Sequence, residues 1–330
     1  MFLSKRLLLT SILLGIVIGS EGDQLPEFER CLELCTNQVC SKDSLISSSS
    51  SSSLNFEKVP HLLKLLNWSC QDNCDYQCQQ IITQLRTQNN EEIFQFHGKW
   101  PFKRLLGTQE LASVIFSILN FIPHYINFQK LIKFYKNCKD SRKILYWNSL
   151  ILSIVAMGAW IFSTIFHIRD LIWTERLDYF FAGATVLTSF YGLLIRVLRL
   201  DKFAKQRKWI GNFCIGLYTY HLIRLNYDWS YTYNMNANIT IAILQYILFL
   251  ILAFKNFKEG KPLKLWLIPI ILILSVILGM SFEIFDFINL NWQIDAHAIW
   301  HLSTILPSFW LYDFFFNDIE NLSEKFTSID

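Results

Sequence analysis

Charge is scarce in this sequence. Only 17% of its 330 residues are Asp, Glu, Lys or Arg, against about 25% in an ordinary soluble domain. That shortage argues against a conventional soluble globular chain. With 52% hydrophobic residues and 28 Phe, 13 Tyr and 11 Trp, it indicates a polytopic membrane protein. Positive charge is missing from whole loops: 226–236 and 285–295 hold no Lys or Arg, and 169–176 holds only two arginines. The clustered cysteines also lack the C-x2-C rhythm of common zinc modules. Their spacings, C-x3-C-x4-C and C-x3-C-x3-C, favour disulfides over a Cys-rich zinc module, the rival reading.

What is present begins with residues 1–20, which read as a secretory signal peptide. Lys5 and Arg6 precede an apolar core from Leu7 to Ile18, too short to span a bilayer, and Gly19-Ser20 supply small residues for cleavage. Cleavage leaves the new N-terminus in the lumen. Cys31, Cys35, Cys40, Cys70, Cys74 and Cys78 fit that oxidising side and predict three disulfides, with their pairing left open. Cys138 and Cys214 read as free thiols. Residues 21–103 form a polar, Cys-rich lumenal segment. Its serine run, Ser47 to Ser53, reads as a flexible insert, and Asn67-Trp68-Ser69 is a glycosylation sequon.

Seven apolar runs follow, near 108–127, 145–168, 177–198, 208–225, 237–254, 264–284 and 296–316. A spanning helix needs about 20 apolar residues. The loops between them alternate in charge. Lys130, Lys133, Lys136, Lys139, Arg142 and Lys143 follow the first run. Arg199, Lys202, Lys205, Arg207 and Lys208 follow the third, and Lys255, Lys258, Lys261 and Lys264 follow the fifth. The positive-inside bias puts these loops in the cytosol. The expected fold is therefore an all-α membrane protein: a seven-transmembrane helix bundle over 104–316, an N-terminal disulfide-rich lumenal segment, and a cytosolic tail over 317–330.

This topology sets the depth of each polar residue. His167 ends the second run on the lumenal side, Asp178 lies near the lumenal start of the third, and His297 and His301 open the seventh. Ser163 and His167 are i, i+4 neighbours, as are His297 and His301, so each pair shares a helix face. Two histidines one turn apart and a third from another helix make a three-His metal site that keeps a coordination position open, as catalytic zinc requires. Zinc lowers the pKa of a water in that position to about 7. Asp178 is the expected base or orienting group, and Ser163 the expected hydrogen-bond donor to the water or an oxyanion. Taken singly, each residue has an ordinary explanation: H-x3-H in a helix is commonly structural, and a helical serine commonly bonds the carbonyl one turn back. Ionisable groups inside spans are functional-site hypotheses by default, and here four converge at one depth. No G-x-S-x-G elbow surrounds Ser163, so the local signature of a serine hydrolase is missing. Elsewhere, His221 reads as a neighbour or substrate contact, and Glu175 as a rival carboxylate placed in the loop. Arg169 and Asp170 read as solvated loop charges and Asp295 as an N-cap. His124 lies at the opposite membrane face, and His61 and His97 in the lumenal segment.

S-x3-H in an early span, an Asp eleven residues past that His, and H-x3-H in the last span resemble the CREST superfamily of seven-helix membrane hydrolases. Ser163, His167, Asp178, His297 and His301 occupy those positions. The stretches "GDQLPEFERCLELC", "FHGKWPFKRLLGTQELASVIFSILN", "FHIRDLIWTERLDYFFAGATVL", "YDWSYTYNMNANI" and "DAHAIWHLSTILPSFWLYDF" more narrowly resemble the Per-one-like family, the post-GPI-attachment-to-proteins factor 3 group. The serine run and Leu111, where the family suggests a proline, depart from it. The resemblance implies a zinc-dependent phospholipase A2 that removes the sn-2 acyl chain of GPI-anchored proteins in the endoplasmic reticulum or Golgi. Its partners would be those proteins, their lipid moiety and membrane lipids, with no nucleic acid. Two other readings compete: a non-catalytic GPI-protein chaperone or receptor with a structural metal site, and a lumenal ceramidase-like amidase. The C-terminal "NDIENLSEKFTSID" carries no di-lysine, K-D-E-L-type or GPI-attachment signal, so the protein is expected to process GPI anchors without carrying one.

Overall fold

The structure is a computed structural model describing residues 20–41, 55–286 and 291–322. The signal peptide up to residue 19, the serine run and residues 323–330 of the tail lie outside the described residues. Every regular element among the described residues is helical. The chain divides into two compact units, Met1–Gly107 with Ile288–Gln293, and Thr108–Phe287 with Ile294–Asp330.

The first unit is built on three helices, α1 (Pro26–Cys35), α2 (His61–Leu65) and α3 (Cys70–Gln88). Cys31 and Cys35 are one turn apart on α1, and Cys70, Cys74 and Cys78 repeat at the same spacing on α3, so each helix offers a sulfur-bearing stripe. The two stripes run antiparallel, giving Cys31–Cys78, Cys35–Cys74 and Cys40–Cys70. All six cysteines are thereby committed to disulfides, which removes the zinc-module reading. Phe28, Ile82 and Phe96 complete the buried core around them. Ser69 begins α3 with a capping box: its Oγ accepts from Asp72 N–H at 3.0 Å, and its own N–H donates to Asp72 Oδ2 at 2.9 Å. The sequon serine therefore has a structural duty.

The second unit holds seven long helices: α4 (Leu111–Asn137), α5 (Asp140–Ile168), α6 (Ile172–Val197), α7 (Ala204–Tyr227), α8 (Tyr231–Lys258), α9 (Leu263–Phe285) and α10 (Ala296–Glu320). Helices α4, α5, α6, α8, α9 and α10 neighbour one another in that order and close a ring, while α7 leans on α6. Five of them, α4, α5, α6, α8 and α9, are long and apolar enough to cross a membrane. That makes the chain an integral membrane protein. Helix α10 falls short because it carries polar groups, yet His301 and Asp318 on it are buried. They face protein rather than lipid, as ionisable groups inside bundles do. Helix α7 buries only Cys214 and Leu225.

Several boundaries differ from the sequence expectation. Helix α4 continues to Asn137, so Lys130, Lys133 and Lys136 are helical and the connection to α5 shrinks to Cys138 and Lys139. Lysines propagate a helix well and complement the negative pole at its C-terminus. Helix α6 starts at Ile172, which places Glu175 in its first turn and corrects the loop assignment. Thr174 explains the early start. Its Oγ1 accepts the Leu171 N–H at 2.9 Å, tying off the chain just before the helix.

Candidate metal centre

The C-terminal end of α5 and the N-terminal end of α10 carry the three histidines. Asp295 sets where α10 begins: its Oδ1 accepts the Ala298 N–H at 2.8 Å, the N-cap expected from the sequence. Burial pushes the Asp295 carboxyl up to about 6, against the pull of nearby His297. With α10 started there, His297 falls in its first turn and His301 one turn on. Glu110 and Gln109 just before α4 donate their N–H groups to the carbonyls of His167 and Ile168, both at 3.1 Å. These bonds satisfy the last carbonyls of α5 and hold the start of α4 against its end.

The result is a tight group. His167, His297 and His301 each offer a nitrogen within 4.8 Å of the others. Their ring centroids lie 5.2, 5.0 and 4.6 Å apart. His167 and His301 are buried, at 1% and 5% exposure, whereas the His297 side chain keeps 35%, so the group opens on the His297 side.

Each imidazole is held by its Nδ1. His167 Nδ1 is 2.7 Å from Glu110 Oε2, His297 Nδ1 is 2.9 Å from Glu283 Oε2, and His301 Nδ1 is 3.1 Å from Ser117 Oγ. A carboxylate opposite Nδ1 places the ring proton there and leaves Nε2 with its lone pair, the arrangement that supports metal-ligating histidines. The Nε2 atoms of His297 and His301 face each other at 2.9 Å, a spacing at which two imidazole nitrogens need a proton or a cation between them. Three imidazoles with hydrogen-bonded outer nitrogens form a donor set suited to zinc or a similar transition metal. The residues present fit a metal ion.

Ser163 is 3% exposed. Its Oγ lies 3.1 Å from Ser117 Oγ, so Ser163 joins the hydrogen-bond chain that ends on His301. Asn120 Nδ2 donates to the His301 carbonyl at 2.7 Å, and Thr304 Oγ1 donates to Asn120 Oδ1 at 3.1 Å, fixing α10 against α4. Asp178 stands half-buried in the second turn of α6, outside the mutual group of three histidines. His221 pairs instead with Tyr233, its Nδ1 3.4 Å from the phenol oxygen. His124 lies farther along α4, bound to Tyr312 at 2.8 Å. His97 meets Asp75 at 2.8 Å within the first unit. Arg169 and Asp170 are half-buried rather than solvated.

Sequence reasoning missed Glu110, Glu283 and Ser117. Glu283 carried a legible signal, a lone carboxylate near the end of an apolar run, which is a functional hint in its own right. Glu110 and Ser117 carried none, because their value depends on helices brought together from far along the chain.

Comparison with known proteins places the chain in a family. A family model described as Per1-like matches residues 60–319, a range that contains all three histidines and their Nδ1 partners. Protein PER1 of Saccharomyces cerevisiae is 43% identical, over 92% of this chain and 93% of its own length. The PER1 homolog of Schizosaccharomyces pombe is 37% identical over 90% and 87%. A protein named GPI-specific phospholipase A2-like PGAP3, from Cricetulus griseus, is 34% identical over 92% and 90%. No solved structure matches. Matched across nearly its whole length, the chain belongs to the Per1-like family.

Proposed function

We propose that this protein remodels GPI anchors as a zinc-dependent phospholipase A2-type hydrolase, cleaving the sn-2 acyl ester of GPI-anchored proteins. The observation that carries this reading is the trio His167, His297 and His301 with each Nδ1 held from outside by Glu110, Glu283 or Ser117. The names of the PGAP3 relatives support the substrate class. In this reading all seven long helices span the membrane of the endoplasmic reticulum or Golgi. The N-terminus is lumenal, the C-terminus cytosolic, and the histidines sit at the lumenal face, where GPI lipids reside.

The three Nε2 atoms would hold the ion. When bound, zinc supplies a Lewis acid toward the ester carbonyl and acidity to a coordinated water. Glu110 and Glu283 keep the rings of His167 and His297 oriented and electron-rich. Asp178 takes a proton from the attacking water and returns one to the sn-2 glycerol oxygen as the acyl C–O bond breaks. Ser163 and Ser117 orient His301, with Ser163 assisting by hydrogen bond rather than as nucleophile. The half-exposed His297 marks the side from which the ester approaches.

The test is paired. His297→Ala should abolish remodelling in cells while the protein remains folded and correctly localised, and purified protein should lose its zinc. Mass spectrometry of GPI lipids from cells lacking the protein should show retained unsaturated sn-2 chains. An unchanged lipid profile would favour the chaperone or receptor reading, and full activity in His297→Ala would remove the metal from the mechanism.

A further inference from the structure

The first unit carries an apolar face that nothing else in the chain covers. Helix α2 has the sequence HLLKL, and only Leu63 of it is buried. Leu62 and Leu65, three residues apart and so neighbours on the helix surface, are 51% and 75% exposed. A single exposed leucine is ordinary, but adjoining ones make a patch.

The turn at Leu106 and Gly107 lies against the same helix. Both residues have left-handed backbones, with φ of 51° and 81°. Gly107 is needed there for space: a Cβ at that position would come within 2.6 Å of Leu66 Cδ1 and 3.1 Å of Leu63 Cδ2. Leu106 has no such reason. A bulky side chain at positive φ is uncommon, and glycine or asparagine is the ordinary occupant. Yet Leu106 is 84% exposed. Strain kept at a surface position points to a use for the side chain. Leu62 Cγ lies 4.0 Å from that same Cβ position on Gly107, so Leu106, Leu62 and Leu65 belong to one apolar face.

Chain continuity indicates what covers it. Leu111, four residues past Gly107, begins α4, which is long and apolar enough to cross a membrane. Four residues reach at most about 14 Å when fully extended. The outward residues of α4 are apolar within its first turns, with Ile115 and Ile118 exposed at 46% and 49%. The Leu106 turn is therefore tethered within reach of the bilayer surface. Lys64, exposed between Leu62 and Leu65 in sequence, supplies a cation of the kind that stays among lipid headgroups while neighbouring leucines enter the apolar layer. Asn67 of the sequon follows α2 with φ 59°, past this face rather than within it.

We propose that Leu62, Leu65 and Leu106 form an interfacial anchor, by which the first unit rests on the lipid bilayer where α4 enters it. The partner is the boundary between headgroups and acyl chains, not a protein. Entry of the leucines there removes apolar surface from water without any specific pairing. This surface is independent of the chemistry at the histidines.

The test uses the full chain in phosphatidylcholine nanodiscs. A photoreactive benzoyl-phenylalanine replaces Leu65 or Leu106 singly, and mass spectrometry reads what each crosslinks on irradiation. Both positions should yield lipid adducts. Gln88 is the control. It is exposed and ends α3 about 27 Å along the axis from Cys70, at a rise of ~1.5 Å per residue, and the probe there should yield none. With the probe at Leu65, Leu106→Gly should reduce the lipid adduct. That variant cannot fail through strain, because glycine suits the left-handed backbone, and a non-reducing digest showing all three disulfides checks that the unit is folded. The proposal is overturned by any of three results: lipid adducts at Leu65 and Leu106 no more frequent than at Gln88, adducts to a second copy of the chain in place of lipid, or an adduct at Leu65 that Leu106→Gly leaves unchanged.

Discussion

Glu110 meets His167 twice. Its backbone N–H donates to the His167 carbonyl at 3.1 Å, and its Oε2 lies 2.7 Å from His167 Nδ1. The first bond closes the end of α5 and the second sets the ring. One residue at the start of α4 therefore fixes both the backbone and the imidazole of a candidate ligand, and both groups are buried.

Glu110→Gln keeps the shape and the backbone bond but removes the charge opposite Nδ1. Loss of such an outer partner weakens a metal site about 10–100-fold. Zinc titration against a competing chelator should show that loss with helical content unchanged. Wild-type affinity would exclude Glu110 as a support of the ligand.

Ser117 and Ser163 separate by the same measurement. Ser117 contacts His301 Nδ1 directly, whereas Ser163 reaches it through Ser117. Ser117→Ala should lower zinc occupancy more than Ser163→Ala, and Ser163→Ala should lower turnover with the metal retained. The reverse order would place Ser163 nearer the ion than its hydrogen bonding indicates.

The disulfide ladder is the main cross-link of the first unit. Replacing Cys31 and Cys78 together by serine should cost about 2–5 kcal/mol, read as increased protease sensitivity of the N-terminal unit at 37 °C. Cys138→Ser, at a free thiol, should leave that sensitivity unchanged.

Asp318→Asn strands the Arg196 guanidinium in a site where Asp318 is only 3% exposed. Breaking one side of a buried pair costs about 3–5 kcal/mol, and the thermal midpoint should fall accordingly. The double variant Arg196→Met/Asp318→Leu should recover most of the loss, because hydrophobic replacement removes both desolvation penalties. A double variant as unstable as the single would show that the pair does more than neutralise itself.

Much of this was legible because it is local. Spacings of four place Cys31 with Cys35, Ser163 with His167, and His297 with His301 on common faces whatever surrounds them. Asp295 ahead of an apolar helix is an N-cap by its own chemistry. Boundaries were less legible: the charged end of α4 reads as a loop by hydropathy, yet its lysines sit comfortably in a helix whose C-terminal pole they complement.

The sequence by itself determined the helices, the sulfur stripes, the histidine pairing and the family, since each follows from spacing, composition or continuous similarity along one chain. Only the tertiary structure decided which cysteine meets which, and that the outer partners of the histidines are Glu110, Glu283 and Ser117. It also decided that Arg196 finds Asp318. Those relationships join helices across 14 to 184 positions of sequence. Over such distances no periodicity survives, and the partner is set by which helix faces pack together.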